Sequence, residues 1–148
     1  MPQKENTDIT ANLQLKAIEI LNCTITLPNN NNQSNFNFNI NLESQVDNVN
    51  KLIFVIVGVE IKSENLNQLL GSIIVSNIFN ILNFDEIIKI DATGKFHIPP
   101  PLIEILNSIS ISTVRGVMFS TFKGTFLHNA ILPIIDPRSI QVVNDDEK

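Results

Sequence analysis

Apolar residues recur at steps of three and four between residues 101 and 122, which is the period of an α-helix. Residues 99–101 are three prolines, and proline suits a first helical position because its fixed φ fits and its missing N–H costs nothing there. Lys123 and Gly124 follow, a cation suited to the negative end of the helix dipole and a residue that accepts the left-handed conformation. The pattern predicts one long helix that begins near Pro101 and ends at Lys123 and Gly124.

Four segments before this helix have the patterns of β-strands, and they span residues 13–27, 36–42, 51–62 and 69–81. The first changes phase midway, which predicts a bulge, and Gly71 marks a possible bulge in the fourth. The second alternates Phe, Ile and Leu with Asn, as a half-buried strand does. The third has little alternation, which is typical of a strand covered on both faces. The Asn-rich stretch 28–35 predicts a hairpin connection.

The segment 83–98, between the fourth strand and the helix, has neither a clean helical nor a clean strand period. Six large apolar residues lie in it without an obvious place to bury them all: Phe84, Ile87, Ile88, Ile90, Phe96 and Ile98. One interpretation is a short helix that covers one edge of the sheet. The other is that some of these residues line an exposed apolar groove, which usually marks a binding site.

Length and charge limit the class of protein. The 148 residues are enough for one domain, which we place at 13–142 between a polar arm at 1–12 and an acidic tail at 143–148. The net charge is −5 and the ten Lys and Arg residues are scattered, so the basic patch expected of a nucleic-acid binder is missing. The N-terminus has no apolar signal region, and the longest apolar run, Leu52 to Val59, is shorter than the roughly 20 residues of a membrane span. We expect a cytoplasmic protein that does not insert into a membrane.

Residues for catalysis or metal binding lack the necessary spacing. His97, His128 and the single cysteine, Cys23, form no ligand pattern with one another or with a carboxylate. The serines between 108 and 112 lie inside the predicted helix without a Gly-x-Ser-x-Gly elbow, and the five glycines form no phosphate loop. The sequence predicts a protein that is not an enzyme and that uses no metal or cofactor.

The C-terminal third carries a resemblance to a known family. The residues KGTF at 123–126, then Leu132 and Pro133, an apolar–acidic–proline step and a short terminal segment, resemble the bacterial protein-export chaperone SecB and its relatives. Four strand-like segments before one long helix follow the order of that family, so that the likeness covers roughly residues 13 to 141. The resemblance implies an α+β fold: a four-stranded antiparallel sheet, a crossover segment, one long helix and a short C-terminal segment. It also implies a holdase that binds unfolded client polypeptides without ATP and that serves protein export.

The resemblance also implies a client site. In SecB-like proteins the crossover and the terminal segment help to frame a groove for extended polypeptide. The nine phenylalanines are the only aromatic residues of this chain, and Phe36, Phe38, Phe54 and Phe79 are assigned to packing. Phe84 and Phe96 lie on the crossover and Phe126 follows the helix cap, where the resemblance places the groove, so the residues predicted for client contact are Phe84, Ile88, Phe96, Phe126 and Ile140.

A stripe of small residues predicts assembly. Ser108, Ser112 and Gly116 recur at steps of four, so that this helix face lets another backbone approach closely. One sheet and one helix leave an apolar face bare, which association would cover. We expect a homotetramer built as a dimer of dimers through this stripe, with Arg115 in an ion pair at the interface.

Three functional alternatives stay open at this point, and the first is the general holdase described above. SecB-like proteins that deliver clients to the translocation motor SecA carry acidic residues on the first and fourth strands, whereas the matching positions here are Asn22, Thr26 and Ser72, so delivery to SecA does not follow. A second interpretation is a dedicated chaperone of one partner, such as the antitoxin of a toxin–antitoxin pair. A third, from another class, is a module that binds a small ligand between helix and sheet.

Overall fold

The computed structural model describes residues 12–27, 35–65 and 67–140. The predicted tail at 143–148 and all of the predicted arm except Asn12 lie outside these residues. The elements, in chain order, are β1 (Leu13–Ile25), β2 (Phe36–Asp47), β3 (Leu52–Ser63), β4 (Leu69–Ile81), α1 (Phe84–Ile87), β5 (Lys89–Ile90), β6 (Phe96–His97), α2 (Pro100–Thr121) and a 3-10 turn (Pro137–Ser139).

The four long strands form one antiparallel sheet in the order β1-β4-β3-β2. Hairpins join β2 to β3 and β3 to β4, and β4 pairs on its other side with β1. The two edge strands are therefore β1 and β2. This sheet and the single long helix confirm the predicted α+β class. The bounds of β4 match the predicted segment, whereas β2 continues beyond the predicted 36–42 as far as Asp47.

The phase change in the first strand corresponds to two irregularities of pairing. The register between β1 and β4 shifts between Leu15 and Ala17 and again between Ile20 and Asn22. A similar shift in the β3–β4 ladder lies opposite Gly71, between Ile61 and Lys62. The predicted bulges are therefore confirmed, since a change of apolar phase along an edge strand is the sequence signature of an extra residue in the ladder.

The core lies between the sheet and α2. Alternate residues of β3 and β4 face the helix and are buried, among them Ile53, Val55, Val57, Ile73, Val75 and Phe79. The residues of α2 that meet them are Leu102, Leu106, Ile111, Val114 and Met118. On the other face of β3, Phe54 and Ile56 are only partly buried. The prediction that both faces of the third strand are covered is wrong for the described chain, because a run of Val and Ile fits a one-sided strand equally well.

The helix α2 begins at Pro100 and ends at Thr121. The backbone N–H of Phe122 closes the last turn on the carbonyl oxygen of Met118 at 2.9 Å, and Gly124 takes the left-handed conformation with φ of 82°. The predicted stop at the glycine is confirmed, although the regular helix ends slightly earlier. By length and composition alone α2 could also cross a membrane, but core helices pass the same test and the buried face of α2 packs on the sheet.

The chain after α2 packs closely on the sheet at Gly71, where Leu127 approaches the backbone of β4. A Cβ atom at this position would lie 2.6 Å from Leu127 Cδ1 and 3.0 Å from the carbonyl oxygen of Thr24. Leu127 is fully buried, as are the nearby Ala130 and Leu132. The absence of a side chain at Gly71 therefore lets the segment after the helix pack directly on β4.

Candidate functional site

The five residues predicted to contact a client do not share one surface. Phe84 and Ile88 are only 3% and 4% exposed and belong to the hydrophobic core. The short helix α1 turns Phe84 inward, while Lys51 Nζ lies 5.1 Å above its ring and pairs with Asp85 at 2.8 Å. The predicted exposed position of Phe84 and Ile88 is therefore wrong, because the crossover uses these side chains to close one end of the core.

The other three predicted residues, Phe96, Phe126 and Ile140, are partly buried against the core. Phe96 pairs with Ile90 in the small β5–β6 hairpin, so the crossover is a one-turn helix followed by a hairpin. This agrees in part with the predicted short helix. Ile140 lines an open depression beside β2, and its predicted role in client contact stays a prediction.

Two adjoining depressions run along β2 and share Phe38. The first has a volume of about 440 Å³ and is lined by Asn35, Phe36, Phe38, Glu64, Asn129 and Ile131. The second has a volume of about 310 Å³ and is lined by Phe38, Asn39, Ile40, Asn41, Ser139 and Ile140. We call them together the β2 groove. It has β2 as one wall and the chain between 129 and 140 as the other.

The second wall is fixed from the centre of α2. Arg115 donates from Nε to the carbonyl oxygen of Leu132 at 2.7 Å and from a terminal nitrogen to that of Pro133 at 2.9 Å. Further along, the carboxylate of Asp136 accepts from the backbone N–H of Arg138 at 3.0 Å and begins the 3-10 turn. The predicted interface ion pair of Arg115 is corrected, since its guanidinium binds carbonyl groups of its own chain.

The lining of the groove is apolar and amide-rich. The sequence pattern predicts that Phe36, Phe38 and Ile40 pack on the core from a half-buried strand. They do contact the core, and they also form the floor of the groove. The alternation of Phe and Asn in β2 is a signal that could have located this site, because residues on one face of an edge strand are only half covered. Ile131 has no comparable signal in the sequence.

The hairpin β5–β6 holds the one imidazole–carboxylate contact found among the described residues. Asp91 accepts from the hydroxyl and backbone N–H of Thr93, and its other carboxylate oxygen lies 2.8 Å from His97 Nε2. The Thr93 hydroxyl and then His97 hold the pKa of the Asp91 carboxyl well below its usual range. These contacts close the turn of the hairpin. Within the described ranges, no group of three or more His, Cys, Asp or Glu side chains could hold a metal ion.

A second surface exposes apolar side chains on the opposite edge of the sheet. Five large apolar residues of β1 are exposed: Leu15, Ile18, Ile20, Leu21 and Ile25. Ile18 pairs with Asn77 and Ile20 with Val75, which places both on the face that α2 covers further along the sheet. Ser108, Ser112 and Gly116 are exposed on α2. The helix therefore covers the middle of the sheet and leaves β1 bare.

Neither the known family models nor the curated proteins give a match to this sequence. Among solved structures, the fold is similar to the Mycobacterium tuberculosis SecB-like chaperone Rv1957 in complex with a ChAD peptide from the HigA1 antitoxin (Rv1956). The TM-score is 0.57 at 11% sequence identity, and the match covers 86% of this chain and 93% of that one. At this identity the likeness concerns the fold. This chain has the fold of a SecB-like chaperone.

Proposed function

We propose that this protein is an ATP-independent holdase that binds extended segments of unfolded polypeptide in the β2 groove. The observation that carries the proposal is the groove itself, which runs beside an edge strand in a fold shared with a chaperone solved in complex with a peptide. From Asn35 to Asn41 the groove follows β2 for about 20 Å, at roughly 3.4 Å per residue. That length suits several residues of an extended chain.

The character of the lining supports a polypeptide ligand. Phe36, Phe38 and Ile40 offer apolar contact, while the amides of Asn39 and Asn129 offer neutral hydrogen-bonding groups. Both depressions are open to solvent, whereas small-molecule pockets enclose most of the ligand surface. The small-ligand alternative also loses its predicted location, because the space between α2 and the sheet is filled by the core.

A dedicated chaperone of one partner is the second candidate, and two observations favour it over general export. The peptide in the similar structure comes from an antitoxin. In this chain Asn22, Thr26 and Ser72 offer no carboxylate for a motor contact, and the hydroxyl of Ser72 bonds that of Thr24 at 2.6 Å. Measuring the binding of several unrelated unfolded proteins separates the two, since a dedicated chaperone holds one and ignores the rest.

Assembly into a homotetramer, as a dimer of dimers, is part of the same proposal. The apolar residues of β1 and the small-residue stripe on α2 are the surfaces that association would cover, at about 25 cal/mol for each Å² of apolar area. β1 is an edge strand with an apolar face that the described parts of the chain leave uncovered, which makes it a natural contact between copies.

The test is binding of a reduced and carboxymethylated unfolded protein, together with suppression of its aggregation. Ile131, which is 56% exposed, lines the groove, and Ile134, which is 96% exposed, does not appear in its lining. Ile131→Ser should weaken binding several-fold, and Ile134→Ser should bind as the wild type does. Equal binding by both variants moves the site away from the groove, and no binding by the wild type overturns the function.

A further inference from the structure

We infer that a depression beside α1, at the end of the sheet remote from the β2 groove, binds a guanidinium group. Two sources carry this chemistry: the arginine side chain of a partner protein and a free arginine-like molecule. The inference is separate from the proposed holdase function, because the residues that line this depression do not line the β2 groove.

The depression lies where the turn between β2 and β3 meets the end of β4 and the short helix α1, and we call it the α1 depression. Its volume is about 420 Å³. The β2 groove lies beside Asn35 to Asn41, toward the other end of the same strand. Six residues give the α1 depression its polar lining: Asn50, Lys51, Asn80, Asn83, Asp85 and Glu86.

The net charge of this lining is negative. Lys51 Nζ pairs with the carboxylate of Asp85 at 2.8 Å, donates to Asn48 Oδ1 at 3.2 Å and lies 5.1 Å from the centre of the Phe84 ring. The charge of Lys51 is therefore compensated within the chain. The carboxylate of Glu86 has no ion pair among the described residues. One unbalanced negative charge remains, and it favours a cation as the ligand.

The asparagines of the lining present oxygen atoms that can accept hydrogen bonds. Asn50 Nδ2 donates to the carboxylate of Asp47 at 2.8 Å, so that Asn50 Oδ1 remains as an acceptor. Asn83 Oδ1 is shielded from solvent without a hydrogen-bond partner in the described part of the chain, and an unsatisfied buried carbonyl is unfavourable. Because the last side-chain torsion of asparagine is broad, this oxygen can turn toward a donor that enters the depression.

The origin of the acceptors favours a guanidinium over a metal ion or an ammonium group. They come from separate segments of the chain, at Asn50, Asn83 and Glu86. A guanidinium spreads five N–H donors over a plane, whereas an ammonium is a compact charge and a calcium ion needs six to eight oxygens close around it. Leu82, which is 66% exposed in the same lining, offers apolar contact to the methylene stem of an arginine.

The experiment follows the amide NMR spectrum of the full chain, deuterated and labelled with nitrogen-15, during titration with N-acetyl-arginine amide. The matched ligand is N-acetyl-citrulline amide, in which a neutral urea group replaces the guanidinium. The arginine compound should shift the signals of residues 50–51 and 80–86 and bind about fivefold more tightly than the citrulline compound, as loss of one exposed ion pair predicts. Equal binding by the two compounds overturns the inference, as do shifts confined to residues 35–41.

Two variants test the unbalanced charge. Glu86→Gln removes it from an exposed position and should lower the affinity for the arginine compound to that for the citrulline compound. Glu43→Gln makes the same change on β2, outside the lining of the α1 depression and of the groove, and should bind as the wild type does. Unchanged binding by Glu86→Gln overturns the inference, and so does an equal loss in both variants.

Free arginine and a Leu-Arg-Leu peptide with blocked ends separate the two sources of the guanidinium. We expect the peptide to bind more tightly, because the exposed side chains of Leu82 and Val49 offer apolar contact beside the depression. That result supports the side chain of a partner protein, and tighter binding of free arginine supports a small molecule. If neither binds at millimolar concentration, the inference is wrong while the holdase function stands.

Discussion

Arg115 Nε and the carbonyl oxygen of Leu132 are joined by a hydrogen bond of 2.7 Å, although the two residues are 17 positions apart in the sequence. A second bond from the same guanidinium reaches the carbonyl oxygen of Pro133. The planar guanidinium has donors on separate nitrogens, so it can hold two consecutive carbonyl groups at once. The middle of the core helix thereby sets the position of one wall of the β2 groove.

Replacing Arg115 should loosen this wall. Arg115→Lys keeps the charge but loses the paired donors, and a charge-assisted hydrogen bond contributes about 1.5–3 kcal/mol. We expect a loss of ~1–2 kcal/mol in the free energy of unfolding in urea, accompanied by weaker binding of the unfolded test protein. Lys123→Ala, an exposed cation next to the end of the same helix, is the control. A loss of stability no larger than that of the control would contradict the role given to Arg115.

Gly71→Ala should destabilise the protein. Its Cβ would stand 2.6 Å from Leu127 Cδ1 and 3.0 Å from a backbone oxygen, and overpacking of this kind costs about 1–3 kcal/mol. Gly58→Ala is the matched control in the neighbouring strand, because its Cβ would meet only Asn41 Cβ at 3.9 Å. Thermal unfolding of both variants decides the prediction. Equal melting temperatures for the two would show that Leu127 gives way freely.

Ser110→Ala should stabilise the protein. Ser110 Oγ is buried and has no hydrogen-bond partner among the described residues, and an unsatisfied buried hydroxyl costs roughly 1–3 kcal/mol. Ser112→Ala, on the exposed side of the same helix, measures the gain from helix propensity alone, about 0.5 kcal/mol. The free energy of unfolding should rise more for Ser110→Ala than for Ser112→Ala. A smaller rise would indicate that a water molecule or another group satisfies the hydroxyl.

Gly124→Val should destabilise the end of α2. No atom of the residues that the structure describes would contact a Cβ there, so the cost comes from the φ of 82° and should be on the order of 1 kcal/mol or more. Gly124→Asn is the comparison, since asparagine tolerates the left-handed region better. The melting temperature should fall in the order wild type, Asn variant, Val variant. A Val variant that melts with the wild type would mean that the backbone can leave this conformation at no cost.

Gly116→Leu should disrupt the proposed tetramer. Gly116 is exposed in the single chain with open space around its Cβ position, so leucine interferes only if another copy covers it. Static light scattering should give a smaller mass for this variant and an unchanged mass for Gly116→Ala, which keeps the face narrow. A wild type that is monomeric at micromolar concentration would end the proposal, as would a leucine variant of wild-type mass.

Local sequence signals were sufficient for the regular elements. The alternation in β4, the change of phase in β1 and the glycine at 124 each depend on backbone period or φ, which neighbouring residues reveal. The crossover could not be predicted in the same way. Its isoleucines at 87, 88 and 90 fit either period, and the short helix and hairpin that they form gain their stability from packing on the core.

The candidate site depended on contacts between distant parts of the chain. Phe84 becomes a core residue because α1 turns it toward the sheet, and Arg115 finds its acceptors only once the chain after the helix has folded back. Phe38 and Ile131 come together across the groove from strand and wall. No period or motif links such pairs in the sequence, and the fold itself brings them together.

The strand order has a consequence for synthesis of the chain. β2, β3 and β4 close through short connections, whereas β1 pairs with β4 across long separations, such as the 48 positions between Thr24 and Ser72. Contacts of this range form late, because the intervening chain must first be ordered. β1 leaves the ribosome before β4 and stays unpaired until β4 has been synthesised. The nascent protein therefore displays, in its own first strand, an unpaired apolar segment of the kind that a holdase protects.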